Sequence, residues 1–376
     1  FFWNSSLFCN NLLNRVIMDS ETVTGSGSLS PAQQHGTYEL LPFVLNPKNI
    51  ARFDAGQVII GDRRKYPFEQ SFVTCRTVAE VASAIESMVT QGSGPWLASV
   101  NALRILTSNR PDNPATLMSD LQQARNLLVS TRPTNTAMMQ RLDQMLSVAK
   151  EALATNSDVD HAIATSIDAV LLGIYDDYTL RACAMADLIN DGDGILTNCF
   201  GEAGVLLSFA FAAKQGKDIT IYAPETRPYF QGAKLTAPSL HEMGIKVNLI
   251  TDNMPAHIMS ERKIQKYVTA ADLITLDGHV VNKIGTFQNA ISAHAHDIPF
   301  FAFAWGRDDS KKQRCDIVIE ERDAAEIKLA LGTATTIDTI SARYPAFDIT
   351  PPNYVSGVVT VHGIASPYNL KSLSTW

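Results

Sequence analysis

The chain has 376 residues, 45% of them hydrophobic, and a formal net charge of −7, which is enough apolar material for a large core and, by length, roughly two domains. An acidic balance with no long basic run argues against a nucleic-acid-tracking surface, and no uninterrupted apolar stretch of about 18 residues is present to span a membrane. The five cysteines (Cys9, Cys75, Cys183, Cys199, Cys315) are scattered, fit neither a disulfide scaffold nor a zinc-ligand spacing, and point to the cytoplasm.

The opening FFWNSSLFCNNLLNRVIMDS is apolar but broken by asparagines and has no basic n-region, so it makes a poor signal peptide. Residues 1–17 read as translated upstream sequence before Met18, and residues 1–37 together as a flexible leader, small and polar from 19 to 36. Residues 38–157 read as a mainly helical amino-terminal domain with short strands. YELLPFVL and QVIIGDRRKYP are predicted strands, and RTVAEVASAIESMVTQG a helix opened by Thr77 and Glu80 as a capping box. Further helical spacing covers roughly 95–107, 115–130, 134–155 and 158–190.

From residue 158 to 376 the pattern becomes short apolar runs alternating with helices: ILTN, ITIYA, KVNLIT, DLITLD, IPFFAFAW and DIVIE. Runs without polar alternation indicate strands covered on both faces. The predicted class is α/β, a Rossmann-like parallel-sheet carboxyl-terminal domain preceded by the mainly helical one. Ligands of such sheets bind beyond the carboxyl ends of the strands, where the sequence puts Cys199, Glu225 with Arg227, Asp252 with Asn253, Asp277 and Trp305.

A free cysteine is most often a small buried hydrophobe. Cys199 is set apart by lying between a strand and a helix opened by Gly201 and Gly204, where the positive end of the helix favours thiolate and glycine backbone can approach a phosphate. In ETRPYFQGAKLT, Glu225 and Arg227 read as a loop-fixing ion pair and Gln231 as a ligand contact. In DGHVVNKIGTF, Asn282 and Lys283 are expected in the first turn of a helix, suited to sugar hydroxyls or an anion, with His279 a loop residue. Arg132, held by Arg-Pro in a turn, is placed to close over a phosphate, and Gln91-Gly92 opens another glycine turn. The usual nucleotide and zinc signatures GxGxxG after a strand, GxxxxGK[ST] and HExxH are missing.

DRRKYP, QGSGP, STRPTN, ILTNC with GEAG, YAPETRPYFQGAKLT, LITDNM, VNKIGTFQ, IPFFAF, IEERD and YPAFDITPPNYVSGVVTVHGIASP occur in this order between residues 38 and 367. Together they resemble the methylthioribose-1-phosphate isomerase family, whose relatives include ribose-1,5-bisphosphate isomerase and regulatory subunits of the translation initiation factor two exchange factor. The resemblance implies a helical domain followed by a Rossmann-like one, a homodimer, a role in methionine salvage, a small sugar-phosphate substrate, and no metal or organic cofactor. Carried over by position, Cys199 matches the catalytic cysteine, and Arg132, Gln231, Asn282 and Lys283 match substrate-binding positions, with Gln91, Gly92 and Gly201 beside them.

The chain departs from the pattern in places. Gln91 stands where the family has arginine, and Asn198 where it has histidine. The Gly-Ala-Asp-Arg-Ile segment that supplies the catalytic aspartate reads as deleted between Leu276 and Val280. Asp277 either fills that role from a shortened strand end or matches the asparagine of the family's Asn-Gly.

An aldose 1-phosphate cannot isomerise as a free aldehyde, because its anomeric oxygen is esterified. Opening the ring needs a proton donor at the ring oxygen, and a second group is needed near carbon 2. Cys199 and Asp277 are the expected pair, making the chain a pentose 1-phosphate aldose–ketose isomerase. The alternative is a catalytically silent regulatory paralog that binds sugar phosphate or nucleotide.

Overall fold

The computed structural model describes residues 29–108, 113–132 and 135–376. The upstream-translation reading and most of the expected leader fall in residues 1–28, outside the described residues. The end of that leader is folded: Ser30 and Gln33 form a capping box on the helical turn Pro31–His35, and Asp176 accepts the Ala32 N–H at 2.8 Å, pinning the segment to the protein. YELLPFVL is not a strand. It forms a helical turn at Thr37–Leu40 followed by turns, because Pro42 offers no ladder N–H and Phe43, Val44 and Leu45 are all buried in succession rather than alternately.

An antiparallel sheet of β1 (Ala51–Asp54), β2 (Gln57–Gly61) and β3 (Phe72–Cys75) is followed by α1 (Val78–Glu86), α2 (Gly94–Ser108), α3 (Pro114–Thr131), α4 (Thr136–Ala154) and α5 (Val159–Leu188). Thr77 Oγ1 accepts the Glu80 N–H at 3.1 Å, whereas the Glu80 carboxylate reaches the Arg76 N–H, one residue before the expected box position. Val100, Leu103, Leu117, Leu121 and Leu142 interlock in this core. The 30-residue α5 joins two cores. Val159, Ile163 and Ile167 belong to the first, and Tyr175, Ala182 and Met185 to the second.

A seven-stranded sheet ordered β15-β14-β10-β7-β4-β5-β6 carries this second core on one face and a third core, with Leu196, Tyr267, Phe300 and Val358, on the other. In chain order the strands are β4 (Gly194–Leu196), β5 (Thr220–Pro224), β6 (Lys246–Ile250), β7 (Lys266–Ala270), β8 (Leu273–Ile274), β9 (Val280–Lys283), β10 (Phe300–Phe303), β11 (Leu329–Ala330), β12 (Thr333–Ala334), β13 (Phe347–Thr350), β14 (Gly357–Thr360) and β15 (Gly363–Ala365). All pairs in the large sheet are parallel except β14 with β15. Helices α6 (Glu202–Lys214), α7 (Ala237–Glu242), α8 (Pro255–Ser260) and α9 (Thr286–Ala295) lie between its strands in sequence. None of the helices among the described residues is long and apolar enough to cross a membrane.

The sheet corrects two strand expectations. The core strand after β6 is KYVTA (β7), not DLITLD, which supplies only β8 of a small antiparallel sheet β13-β9-β8. The run KYVTA is masked in the sequence by Lys266, a residue rarely buried; here its Nζ meets Asp193 at 2.5 Å, a buried pair that lets the strand enter the core. DIVIE forms no strand, and GVVT supplies β14 instead.

The chain runs β4, β5, β6 toward one edge and returns on the far side of β4 as β7, continuing to β10 and β14. The connections diverge between β4 and β7. At such a switch point a crevice opens above the strand ends, and it is the expected place for a ligand.

Candidate active site at the ends of β4 and β7

Cys199 follows β4 and turns the chain into α6 with φ +61°, a left-handed conformation that costs an L-residue about 1–2 kcal/mol. The turn is held by ETRPYFQGAKLT. Thr226 Oγ1 accepts the Cys199 N–H at 3.1 Å, and Thr236 Oγ1 donates to the Cys199 carbonyl. Thr226 is itself at φ +62°, fixed because Asp252 accepts the N–H groups of Thr226 and Arg227 at 2.8 and 2.7 Å. The expected Glu225–Arg227 ion pair is not formed. The Arg227 guanidinium donates instead to the carbonyls of Ile327 and Leu329. Asn198 donates to Thr286 Oγ1 at 2.9 Å and so ties the end of β4 to the start of α9.

Above these strand ends lies a cavity of ≈ 540 Å³ whose walls include Cys199, Asp272, Asn282, Lys283, Gln231 and Tyr178. Its volume lies within the range of small-ligand sites. Asp272 stands just past the end of β7, its N–H donated to the Val281 carbonyl at 2.9 Å. Asp272 lines the cavity and is exposed there. Burial pushes its pKa up to about 6 against the pull of Lys283, with Glu202 adding to the rise. Burial likewise pushes the Cys199 thiol up to about 12, outweighing Lys283. The expectation of a thiolate is thereby corrected: desolvation exceeds what the helix terminus offers, and the thiol keeps its proton at neutral pH.

Asp277 is not brought to Cys199. Its carboxylate takes hydrogen bonds from Thr275 Oγ1 at 2.5 Å and His279 Nδ1 at 2.9 Å in a turn outside the cavity. Burial alone would raise its pKa, but the bonds from Thr275 and His279 outweigh it and hold the carboxyl below its usual range. Ala270-Ala271-Asp272-Leu273-Ile274 occupies the β7 end and β8 and brings Asp272 to the cavity wall. Reading DLITLD as the core strand had put Asp272 at a strand start, away from the rim. Arg63, Tyr178 and Glu202 are further cavity residues that sequence reasoning did not single out.

Asn282 and Lys283 lie on β9, not in the first turn of a helix. Asn282 Nδ2 donates to Thr269 and Thr286, each at 3.0 Å. Lys283 Nζ sits 4.5 Å from the centre of the Phe347 ring, a cation–π contact, and among the described residues it has no carboxylate at ion-pair distance. Gln231 also lines the cavity, and its Oε1 is buried without a hydrogen-bond partner, an acceptor left for a ligand hydroxyl. Gly201 caps α6 beneath Cys199. Arg132 is set apart from this hollow. It lines an adjoining outer cavity of ≈ 770 Å³ and donates to the Ile85 carbonyl at 3.2 Å. Gln91, Gly92, Gln231 and Leu235 line both cavities.

Behind Lys283, Asp348 accepts the N–H groups of Gly285 and Phe287 at 2.7 and 3.0 Å. Burial nevertheless pushes its pKa up to about 7. In the folded protein Asp348 and Asp272 hold protons to about pH 7 and 6, whereas an unperturbed aspartate loses its proton near 3.8. Between these limits the folded state binds more protons than the unfolded one, so stability falls as pH rises from ~4 to ~7. Thermal unfolding at pH 5 and pH 8 is expected to show a higher Tm at pH 5, and Asp348→Asn to flatten the difference. A Tm that rises with pH, equally in both proteins, would contradict this.

The Initiation factor 2 subunit family matches residues 96–367. The methylthioribose-1-phosphate isomerase of Petrotoga mobilis is 33% identical over 82% of this chain and 93% of its own length. That of Chloroflexus aurantiacus is 34% identical over 84% and 94%. Among solved structures, translation initiation factor eIF-2B subunit delta from A. fulgidus superposes with a TM-score of 0.77 at 29% identity, covering 85% of this chain and 96% of that one. The 5-methylthioribose 1-phosphate isomerase of Pyrococcus horikoshii gives 0.76 at 26%, covering 86% and 94%. With the family match spanning most of the chain and relatives above 30% identity covering more than two thirds of it, this protein belongs to the Initiation factor 2 subunit family.

Proposed function

We propose that this chain is a cytoplasmic, homodimeric aldose–ketose isomerase that converts a pentose 1-phosphate to the ketose 1-phosphate, with 5-methylthioribose 1-phosphate as the first candidate substrate and methionine salvage as its setting. The observation that carries the reading is one cavity shared by Cys199 from the end of β4 and Asp272 from the end of β7, with Lys283 beside both. The names of the curated relatives support the same reaction.

Asp272 is the general acid. With a pKa near 6 it keeps a useful protonated fraction near neutral pH, and it delivers that proton to the ring oxygen as the bond from carbon 1 to the ring oxygen breaks. The positive charge then shared by carbon 1 and its ester oxygen draws a hydride from carbon 2. The 2-hydroxyl becomes a carbonyl, and its proton passes to the Asp272 carboxylate. One proton leaves Asp272 and one returns, so the enzyme ends as it began. Cys199, protonated throughout, donates a hydrogen bond to the oxygen on carbon 2 and screens the cation from water. Asn282 and Gln231 take the sugar hydroxyls, and Lys283 offsets the carboxylate formed in the first step.

The likeness to the A. fulgidus initiation-factor subunit favours a second reading, a silent regulatory paralog that binds the same class of ligand. Incubating the purified protein with a panel of pentose 1-phosphates and following ketose formation separates the two. Turnover is expected, and Cys199→Ala is expected to lower kcat by ~10²-fold, the scale for losing one positioned hydrogen-bond donor at the reacting centre. Sugar-phosphate binding without turnover on any member of the panel would favour the regulatory reading.

A further inference from the structure

Arg63 lies two residues past the end of β2 and lines both cavities. Its backbone N–H donates to the Val89 carbonyl at 2.9 Å. Nη1 donates to the Gln91 carbonyl at 2.9 Å and Nη2 to the Val44 carbonyl at 2.7 Å. A guanidinium has five N–H donors, so these bonds orient the group and leave donors toward the lumen. Among the described residues no carboxylate lies at ion-pair distance from it. Glu202, whose Oε1 flanks the same Gly92 turn, is its charge neighbour but stays beyond ion-pair distance. A half-buried cation with no carboxylate at ion-pair distance is stabilised when an anion joins it.

The neighbouring turn is shaped to admit that anion. Gly92 has φ +61°, and a Cβ there would lie 2.9 Å from Glu202 Oε1 and 3.3 Å from Arg63 Nη1. Only a residue with no side chain leaves the mouth of the cavity open at this point, with backbone beside the guanidinium. The arginine expected at position 91 from the sequence resemblance is a glutamine here, yet the Arg63 guanidinium rests on the carbonyl of that same residue.

We propose that Arg63 is the phosphate-binding cation of this site, holding the substrate's ester phosphate against the Gly92 turn in place of the arginine missing from position 91. The assignment deepens the isomerase reading and rests on it for the identity of the phosphate ester.

The test titrates the full chain with inorganic phosphate by calorimetry and measures turnover of 5-methylthioribose 1-phosphate. Arg63→Gln is expected to weaken phosphate binding at least ~10-fold and to raise KM more than it lowers kcat, as loss of a charge-assisted hydrogen bond made in both ground and transition states requires. The exchange Arg63→Gln with Gln91→Arg is expected to recover binding to within ~3-fold, because the cation returns from the other side of the same carbonyl. A merely structural Arg63 would lower Tm through the lost bonds to Val44 and Gln91, and an arginine at position 91 would not restore those bonds. Unchanged phosphate affinity in Arg63→Gln overturns the assignment, as does a wild-type chain that takes up no phosphate or a loss that the second substitution leaves in place. Phosphate affinities in the expected order without any ketose product would retire the isomerase reading and leave Arg63 assigned.

Discussion

Asp272→Asn is expected to lower kcat by ~10²- to 10⁴-fold on whichever pentose 1-phosphate is turned over, the range for loss of a positioned general acid. The amide keeps the shape and one acceptor of the carboxyl but has no proton of suitable acidity for the ring oxygen. The wild-type pH profile of kcat is expected to fall above about pH 6, where the raised carboxyl of Asp272 loses its proton. Asp277→Asn is the matched control. That carboxylate is committed to Thr275 and His279 outside the cavity, and activity is expected to stay within ~3-fold of wild type, since no reacting atom depends on it. Steady-state kinetics of the two variants decide the matter. A silent Asp272→Asn beside a crippled Asp277→Asn would reverse the assignment.

Gly232→Ala is expected to be the most damaging single change outside the cavity. An added Cβ would lie 1.7 Å from the Pro224 carbonyl oxygen and 2.9 Å from its carbon, so the backbone at the end of β5 must move. Overpacking against backbone costs ~3 kcal/mol and upward where nothing flexible can give. The same glycine opens the π-helical turn Gly232–Thr236. That turn carries Thr236, which holds the Cys199 carbonyl, and follows Gln231 at the cavity wall. Activity is therefore expected to fall even in the fraction that folds. Denaturant unfolding measures the first effect and kcat/KM at low temperature the second. Gly173→Ala is the control, on the exposed side of α5 with nothing within 4 Å of the added atom; relieving a helical glycine is expected to stabilise by ~0.5–1 kcal/mol. Equal stability of the two variants would contradict the close-approach argument.

Local patterns carried much of the fold. The capping residue Thr77 starts α1 where the spacing says it should, and β2, β4, β5 and β10 coincide with apolar runs, because strands covered on both faces must be apolar along their length. The same rule failed at Lys266–Ala270. There a buried lysine is tolerated only because Asp193, 73 residues earlier in the chain, lies beside it, a partner no window of sequence displays. That single omission is why the sequence reading picked Asp277 rather than Asp272, the aspartate that lines the cavity with Cys199.

By itself the sequence determined the α/β class, the alternation that makes a parallel sheet, and Cys199 as the residue to watch, since each depends on neighbours within one or two turns of chain. Tertiary structure alone decided which acid faces Cys199, that burial keeps its thiol protonated, that Asn282 and Lys283 sit on a strand, and that Arg63 stands at the cavity mouth beside Gln91. The physical reason is common to all four. Desolvation and cross-strand juxtaposition are set by residues remote in the chain, and the side of β4 to which the backbone returns after β6 fixes which of them meet.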